Sequence, residues 1–290
     1  MKVSPIQSSY ELHVRVYTSR AQKTSVVSSL AQVLREMWMT REVIWRLFLR
    51  DFTVQFRQKV LGYLWAFLGP LIGMASFVFL NYTGILNPGD LTIPYPLYLF
   101  LGMTLWGLFI GVVGVVSGGL LTHGDLVLRT SIPKIALALA GMGNVVYVQL
   151  VNLVILMILC GVVGILPSWW ALTVPLMVLP LIALGLGIGL VLAVIGALAR
   201  DVTAMSTTVL NLMMYLTPVA YVPKFGNPYL QNMIIFNPLS HLIEAPRNVF
   251  LRGTIEEPTA FAVSSLFGFA MLIVGIHAFY LTQDKVAERL

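Results

Sequence analysis

The chain has 290 residues, 58% of them hydrophobic and 10% charged, with a net charge of +6. Soluble domains carry about 45–50% apolar and about 25% charged residues, and so few charges cannot cover a water-facing surface. A soluble globular enzyme and a disordered chain are both excluded, which leaves an integral membrane protein.

In chain order, residues 1–27 read as a polar cytoplasmic tail. The first 60 residues are rich in charge, so no cleavable signal peptide is expected. Residues 28–59 read as one or two amphipathic helices. Leu30, Val33, Leu34, Met37 and Trp38 recur at helical spacing, then Val43, Ile44, Leu47 and Phe48, with Arg46, Arg50 and Arg57 interleaved. Ser28 or Ser29 is expected to cap the start. Such a segment is either an anchor in the membrane surface or a docking or gating helix for a cytoplasmic partner.

Long uncharged runs then locate the membrane: 60–89, 91–124, 135–199, 202–223 and 258–283. About 20 residues of helix cross a bilayer core, so the 65 residues between Lys134 and Arg200 hold two spans. They divide at Pro167-Ser168-Trp169-Trp170, a turn followed by interfacial aromatics. Six spans result, near 61–84, 97–121, 136–166, 172–198, 203–221 and 258–281. The runs are continuously apolar, which excludes a barrel with alternating strands. The fold class is all-α, with residues 60–285 as the membrane domain and 286–290 as a tail.

An even span count puts both termini on one side. Residues 1–60 carry ten Lys/Arg, and Arg129, Lys134, Arg200, Lys285 and Arg289 fall on the same side; only Lys224, Arg247 and Arg252 fall opposite. Positive charge marks the cytoplasmic side, so the basic balance reports topology, and nucleic-acid binding is not needed to explain it.

Between the spans, residues 122–134 form a short cytoplasmic loop in which Asp125 and Arg129, four apart, pair on one helical face before Pro133 and Lys134. It is either a plain solvated turn or a short helix that fits a cleft on a partner. Residues 222–257 are extracytoplasmic yet apolar. Gln231–Phe236 is too short to span, and Leu239–Glu244 and Arg247–Leu251 are two more short stretches, split by Pro246; segments of this size fit re-entrant or interfacial helices. Glu244 and Arg247 read first as an exposed interface pair and second as a buried charge marking a site.

Within the spans, Gly107, Gly111, Gly114 and Gly118 share one helical face, and Gly185 and Gly189 repeat the pattern. Close helix contact is the ordinary role of such a face; a smooth wall along a conduit is the other. Asn144, Gln149 and Asn152 fit interhelical hydrogen bonds. No Asp, Glu, Lys or Arg sits mid-span, which argues against self-powered secondary transport. Aromatics gather toward the outer side, and Tyr82, Tyr98, Trp106, Tyr215 and Tyr221 are candidates to line a sugar path, against the plainer reading of an interfacial belt.

No lysine follows a glycine, so no phosphate-binding loop is present. His13, His123, His241 and His277 lack zinc spacing, and no nucleophile elbow appears. No catalytic centre and no metal site are expected in the chain.

Four segments in order resemble the permease subunit of type-2 ABC exporters, in the polysaccharide branch. WRLFLRDFTVQFRQKVLGYLWAFLGPL (45–71) is similar in running from Arg50-Asp51 through a basic stretch into Leu61-Gly62, Leu64-Trp65 and Pro70. LVLRTSIPK (126–134) looks like the loop after span two. ARDVTAMSTTVLNLMMYLTPVAY (199–221) resembles span five, and NPLSHLIEAPRNVFL (237–251) an outer helix pair, although Ser240-His241 and Ala245-Pro246 depart from the pattern.

The resemblance implies a homodimer in the bacterial inner membrane, bound to a separate ATPase that holds ATP and Mg, with no cofactor in this chain. It implies a gate helix carrying Arg46, Arg50, Asp51 and Arg57, a coupling helix with Asp125, Arg129, Pro133 and Lys134, and an outer gate with Asn237, Pro238, Glu244 and Arg247. The implied cargo is a lipid-linked polysaccharide such as O-antigen, in lipopolysaccharide biosynthesis. A drug or lipid exporter of the same family, a self-powered transporter or channel, and a membrane enzyme using Glu244 or Asp90 are the alternatives.

Overall fold

The computed structural model describes residues 25–57, 62–124, 132–223 and 227–287, and among them every regular element is helical. Two helices precede the membrane domain, α1 (Val26–Met39) and α2 (Arg41–Arg57). The domain continues with α3 (Gly62–Tyr82), α4 (Tyr95–Thr122), α5 (Lys134–Leu139), α6 (Met142–Val163), a 3-10 turn (Trp169–Thr173), α7 (Val174–Met177) and α8 (Leu179–Leu198). It ends with α9 (Arg200–Leu216), α10 (Pro228–Ile235), α11 (Pro238–Arg252) and α12 (Pro258–Ala287).

Four stretches among the described residues are long and apolar enough to cross a bilayer: Tyr95–Thr122, Lys134–Val163, Trp169–Gly196 and Pro258–Gln283. Phe67–Tyr82 and Ala204–Leu216 are shorter apolar helices. The expected break at Pro167 is present: α6 ends on Gly164 at φ 74°, and the Ser168 side chain accepts from the Trp170 amide to open the 3-10 turn. The preceding span is less regular than expected, because a turn at Ala140–Gly141 separates α5 from α6.

Burial grades the helices. In α4, 67% of the most apolar window is buried within the chain, against 17% in α12. Helix α4 is the centre of the domain, packed by α8, α6, α5, α3 and α11, whereas α12 lies on α8 and leaves most of its surface outward. In lipid that surface costs nothing to expose, since hydrocarbon solvates Val, Leu and Phe as well as a core does.

Small residues set the helix contacts, but not all those expected to. A Cβ on Gly185 or Gly189 would press on Val112 or Val116 of α4, and one on Gly187 would strike the Met271 backbone of α12. The α8 glycines are therefore where backbones meet. The α4 stripe is different. Gly107, Gly114 and Gly118 have no neighbouring atom within 4 Å of an added Cβ, and only Gly111 touches a side chain, that of Val145. Close packing, the first reading for this face, does not occur among the described residues; α4 makes its tight approaches through Gly102 and Gly119. Nor does Asn152 make the expected bond: it is buried with its Oδ1 unpartnered.

The amphipathic segment begins a turn earlier than predicted. Ser25, not Ser28 or Ser29, stands at the N-cap, and the Ser28 and Ser29 hydroxyls donate back to its carbonyl. Helix α1 is tied to α12, where Ser29 Oγ lies 3.1 Å from His277 Nδ1 and Tyr280 donates to Gln32. Helix α2 seats Phe48 over Gly143 at the start of α6, a place where any larger residue would collide with the ring.

Candidate functional site

Two ends of the domain carry polar residues, and the end built from α10 and α11 is the better defined. Its two short helices start alike. Asn227-Pro228 opens α10 and Asn237-Pro238 opens α11, each Asn Oδ1 accepting from the amide two residues on. Asparagine satisfies one of the orphan amides at a helix start, and proline at the first helical position removes another while its φ is already helical. Asn237 has a second task, donating from Nδ2 to Thr217 Oγ1 at 3.0 Å, which fastens α11 to the end of α9.

Helix α11 is continuous from Pro238 to Arg252 and nearly all of it is buried. Pro246 does not split it into the two stretches expected from the sequence. A proline inside a helix forfeits one hydrogen bond and distorts the turn before it, but here packing on both sides holds the geometry.

The same packing overturns the reading of Glu244 and Arg247 as an exposed pair. Arg247 is 0% exposed. Its guanidinium lies 3.8 Å from the centre of the Tyr98 ring, and its Nη1 donates to the Pro218 and Val219 carbonyls at 3.0 and 3.3 Å. Tyr98 in turn donates to the Tyr221 carbonyl at 3.0 Å. One cation thus joins α11 to α4 and to the Thr217–Tyr221 corner after α9, through a desolvated cation–π contact and bonds to carbonyls that lie beyond the end of α9. Gly102 makes room, since a Cβ there would overlap the Val219 carbonyl. Burial pulls the Arg247 guanidinium below its usual pKa, and Tyr98 and Glu244 oppose that shift. Its Nε and Nη2 have no partner.

Glu244 is partly buried one turn earlier. Desolvation pushes its carboxyl above the usual range, while Arg247 draws it back. It lines a cleft of about 360 Å³ with His241, Asn248, Glu256 and Glu257. His241 fixes one edge, with Nε2 2.9 Å from the Ile235 carbonyl and Nδ1 3.5 Å from Glu257 Oε2. Arg252 closes another, pairing with Glu256 at 2.8 Å and donating to Thr92 at 2.6 Å.

The five candidate aromatics separate. Tyr98 and Trp106 are interior, one under Arg247 and the other beside Phe109. Tyr82 is 90% exposed and Tyr215 is exposed, while Tyr221 donates from its hydroxyl to the Tyr215 carbonyl.

On α2, Arg46 and Arg50 are both exposed, and Trp45 stacks on Phe48. Arg41 lies over the exposed Trp38 at 4.8 Å. Pro133 caps α5 and Lys134 is its first residue. Asp125 and Arg129 lie outside the described residues, as do the side chains of Asp51 and Arg57.

Sequence reasoning named Asn237, Glu244 and Arg247 but missed their partners. Thr217, Pro218 and Val219 stood in the quoted end of span five without a role. Ser240 stood out only as part of Ser240-His241, a departure from the family pattern, and Glu256 and Glu257 only as a local excess of acid, because the turn at Gly253, at φ 73°, is what brings them together.

A helical domain with four apolar stretches long enough to cross a bilayer fits a membrane transport subunit. Residues 42–251 match the ABC-2 type transporter family, and the chain belongs to that family. The O-antigen export system permease protein RfbA of Myxococcus xanthus is 24% identical over 266 residues, 89% of this chain and 99% of that protein. A protein of the same name from Klebsiella pneumoniae is 23% identical, covering 82% of this chain and 91% of its own. The polysialic acid transport protein KpsM of Escherichia coli is 25% identical over 82% of this chain and 92% of its own.

Proposed function

We propose that this chain is the permease subunit of an ATP-driven exporter that moves a lipid-linked polysaccharide, such as O-antigen, out across the inner membrane. The observation that carries this reading is the end-to-end similarity to export permeases. The open glycine stripe of α4 supports it. An otherwise buried central helix keeps one smooth face free, as the wall of a conduit needs. In this reading two copies form the channel, α3 and α9 complete six spans, and both termini face the cytoplasm, as the distribution of Lys and Arg requires.

ATP and Mg belong to a separate ATPase subunit. Residues 125–134 seat on it, and α2, with Arg46, Arg50, Asp51 and Arg57, acts as the gate helix. Closure of the ATPase moves both as rigid bodies. The arginine-centred junction of α4, α9 and α11 closes the exit.

Affinity purification in mild detergent tests the reading. A stoichiometric ATPase is expected to stay bound, and Arg129→Glu with Lys134→Glu is expected to release it without unfolding the permease. A clean single-subunit oligomer under the same conditions points instead to a channel or self-powered transporter.

A further inference from the structure

The outer cleft has the composition of a carbohydrate site. Val222, Ile234 and Ile235 give it apolar surface, and Glu244, Glu256, Glu257 and Asn248 give it hydrogen-bonding groups, most of them acceptors. Its volume of about 360 Å³ falls at the lower end of ligand clefts, about 300–1,000 Å³. A pyranose presents the matching chemistry, with apolar C–H faces and a rim of hydroxyls that donate readily to carboxylates.

A second observation points to a ligand. Ser240 lines the cleft at 1% exposure, and its Oγ has no hydrogen-bond partner. Buried hydroxyls are almost always satisfied, so this one is a donor and acceptor left for something that enters.

We infer that this cleft binds one uncharged sugar ring of the exported polymer, through the Glu244 and Glu256 carboxylates and the Ser240 hydroxyl, and that it rejects sugars bearing a carboxylate. The charge of the lining sets the second half. Among the described lining residues there are three glutamates, one histidine and no Lys or Arg. A sialic-acid ring would bring its own anion against those carboxylates, and the guanidinium at the edge, that of Arg252, is already paired with Glu256. This inference rests on the exporter reading and narrows its cargo to neutral or amino sugars.

The test uses the full chain in nanodiscs free of glycolipid, with saturation-transfer NMR to methyl β-galactoside, methyl N-acetyl-β-glucosaminide and N-acetylneuraminic acid. The two neutral sugars are expected to receive saturation at about millimolar concentration, and the acid to receive none. Ser240→Ala and Glu244→Gln should each weaken binding about tenfold with no loss of thermal stability, because neither removes a bond made within the chain. Absence of transfer to both neutral sugars, equal transfer to N-acetylneuraminic acid, or transfer that persists in the two variants overturns the inference. If the ATPase co-purifies while the cleft fails, only the sugar site falls; if no ATPase is retained, the exporter reading falls with it.

Discussion

The glycines of α8 and those of α4 share a sequence signature and have opposite fates. On α8, Gly185, Gly187 and Gly189 are pressed by Val112, by the Met271 backbone and by Val116. On α4, Gly107, Gly114 and Gly118 face open space. A small-residue face says that something can come close; it does not say what. The chain itself completes the α8 contact, and also the Arg247 junction. It leaves the α4 stripe without a close neighbour among the described residues.

That contrast between completed and open regions can be broken by mutation. The largest loss of stability is expected at the completed outer junction. Arg247→Ala removes two charged hydrogen bonds and the contact with Tyr98, and should cost about 3 kcal/mol. Arg247→Lys should recover little of it, because an ammonium lacks the planar fork. Denaturation in detergent reads both, and an unchanged midpoint for Arg247→Ala would show that the junction is decorative.

Gly187→Ala comes next. Its methyl meets backbone that cannot rotate away, so a loss of about 1–3 kcal/mol is expected from overpacking. The same substitution at Gly114 should be neutral or raise stability by up to about 1 kcal/mol, since alanine is the better helix former. If Gly114→Ala proved the more damaging of the two, the distinction between the faces would be lost. Gly114→Leu sharpens it: stability should hold while export, followed as polymer reaching the cell surface, falls.

The smallest effect is expected at Glu244. Its folded pKa is raised by burial, so the folded state holds the proton more tightly than the unfolded state. Stability from this group is present at low pH and is lost as pH rises through the folded value. Glu244→Gln should therefore melt higher than the parent at pH 7, with the gap closing below about pH 4, where a free glutamate is also protonated. A gap that widened toward acid would mean that ionised Glu244 is stabilised by its neighbours.

Much of this molecule is legible in one dimension because lipid imposes a simple rule. A segment that crosses hydrocarbon outside a barrel must be helical and nearly uncharged, so α4, α6, α8 and α12 declare themselves as apolar runs, and the turn at Pro167 as the break between α6 and α8. The Asn-Pro starts of α10 and α11 were present as residues, and Asn237-Pro238 was marked.

Partners were not legible. Nothing local in Glu244-Ala245-Pro246-Arg247 distinguishes an exposed pair from a cation sealed against Tyr98, which is 149 positions away in the chain. The continuity of α11 across Pro246 was equally hidden, since proline argues for a break and only burial on both sides answers it. The sequence by itself determined what must lie in the membrane, which side carries positive charge and which family the order of motifs resembles. The tertiary structure alone decided which glycines are filled, which aromatics are buried and where the buried Arg247 finds its carbonyls. Periodicity and charge act between near neighbours along the chain, whereas packing is settled between residues that only folding brings together.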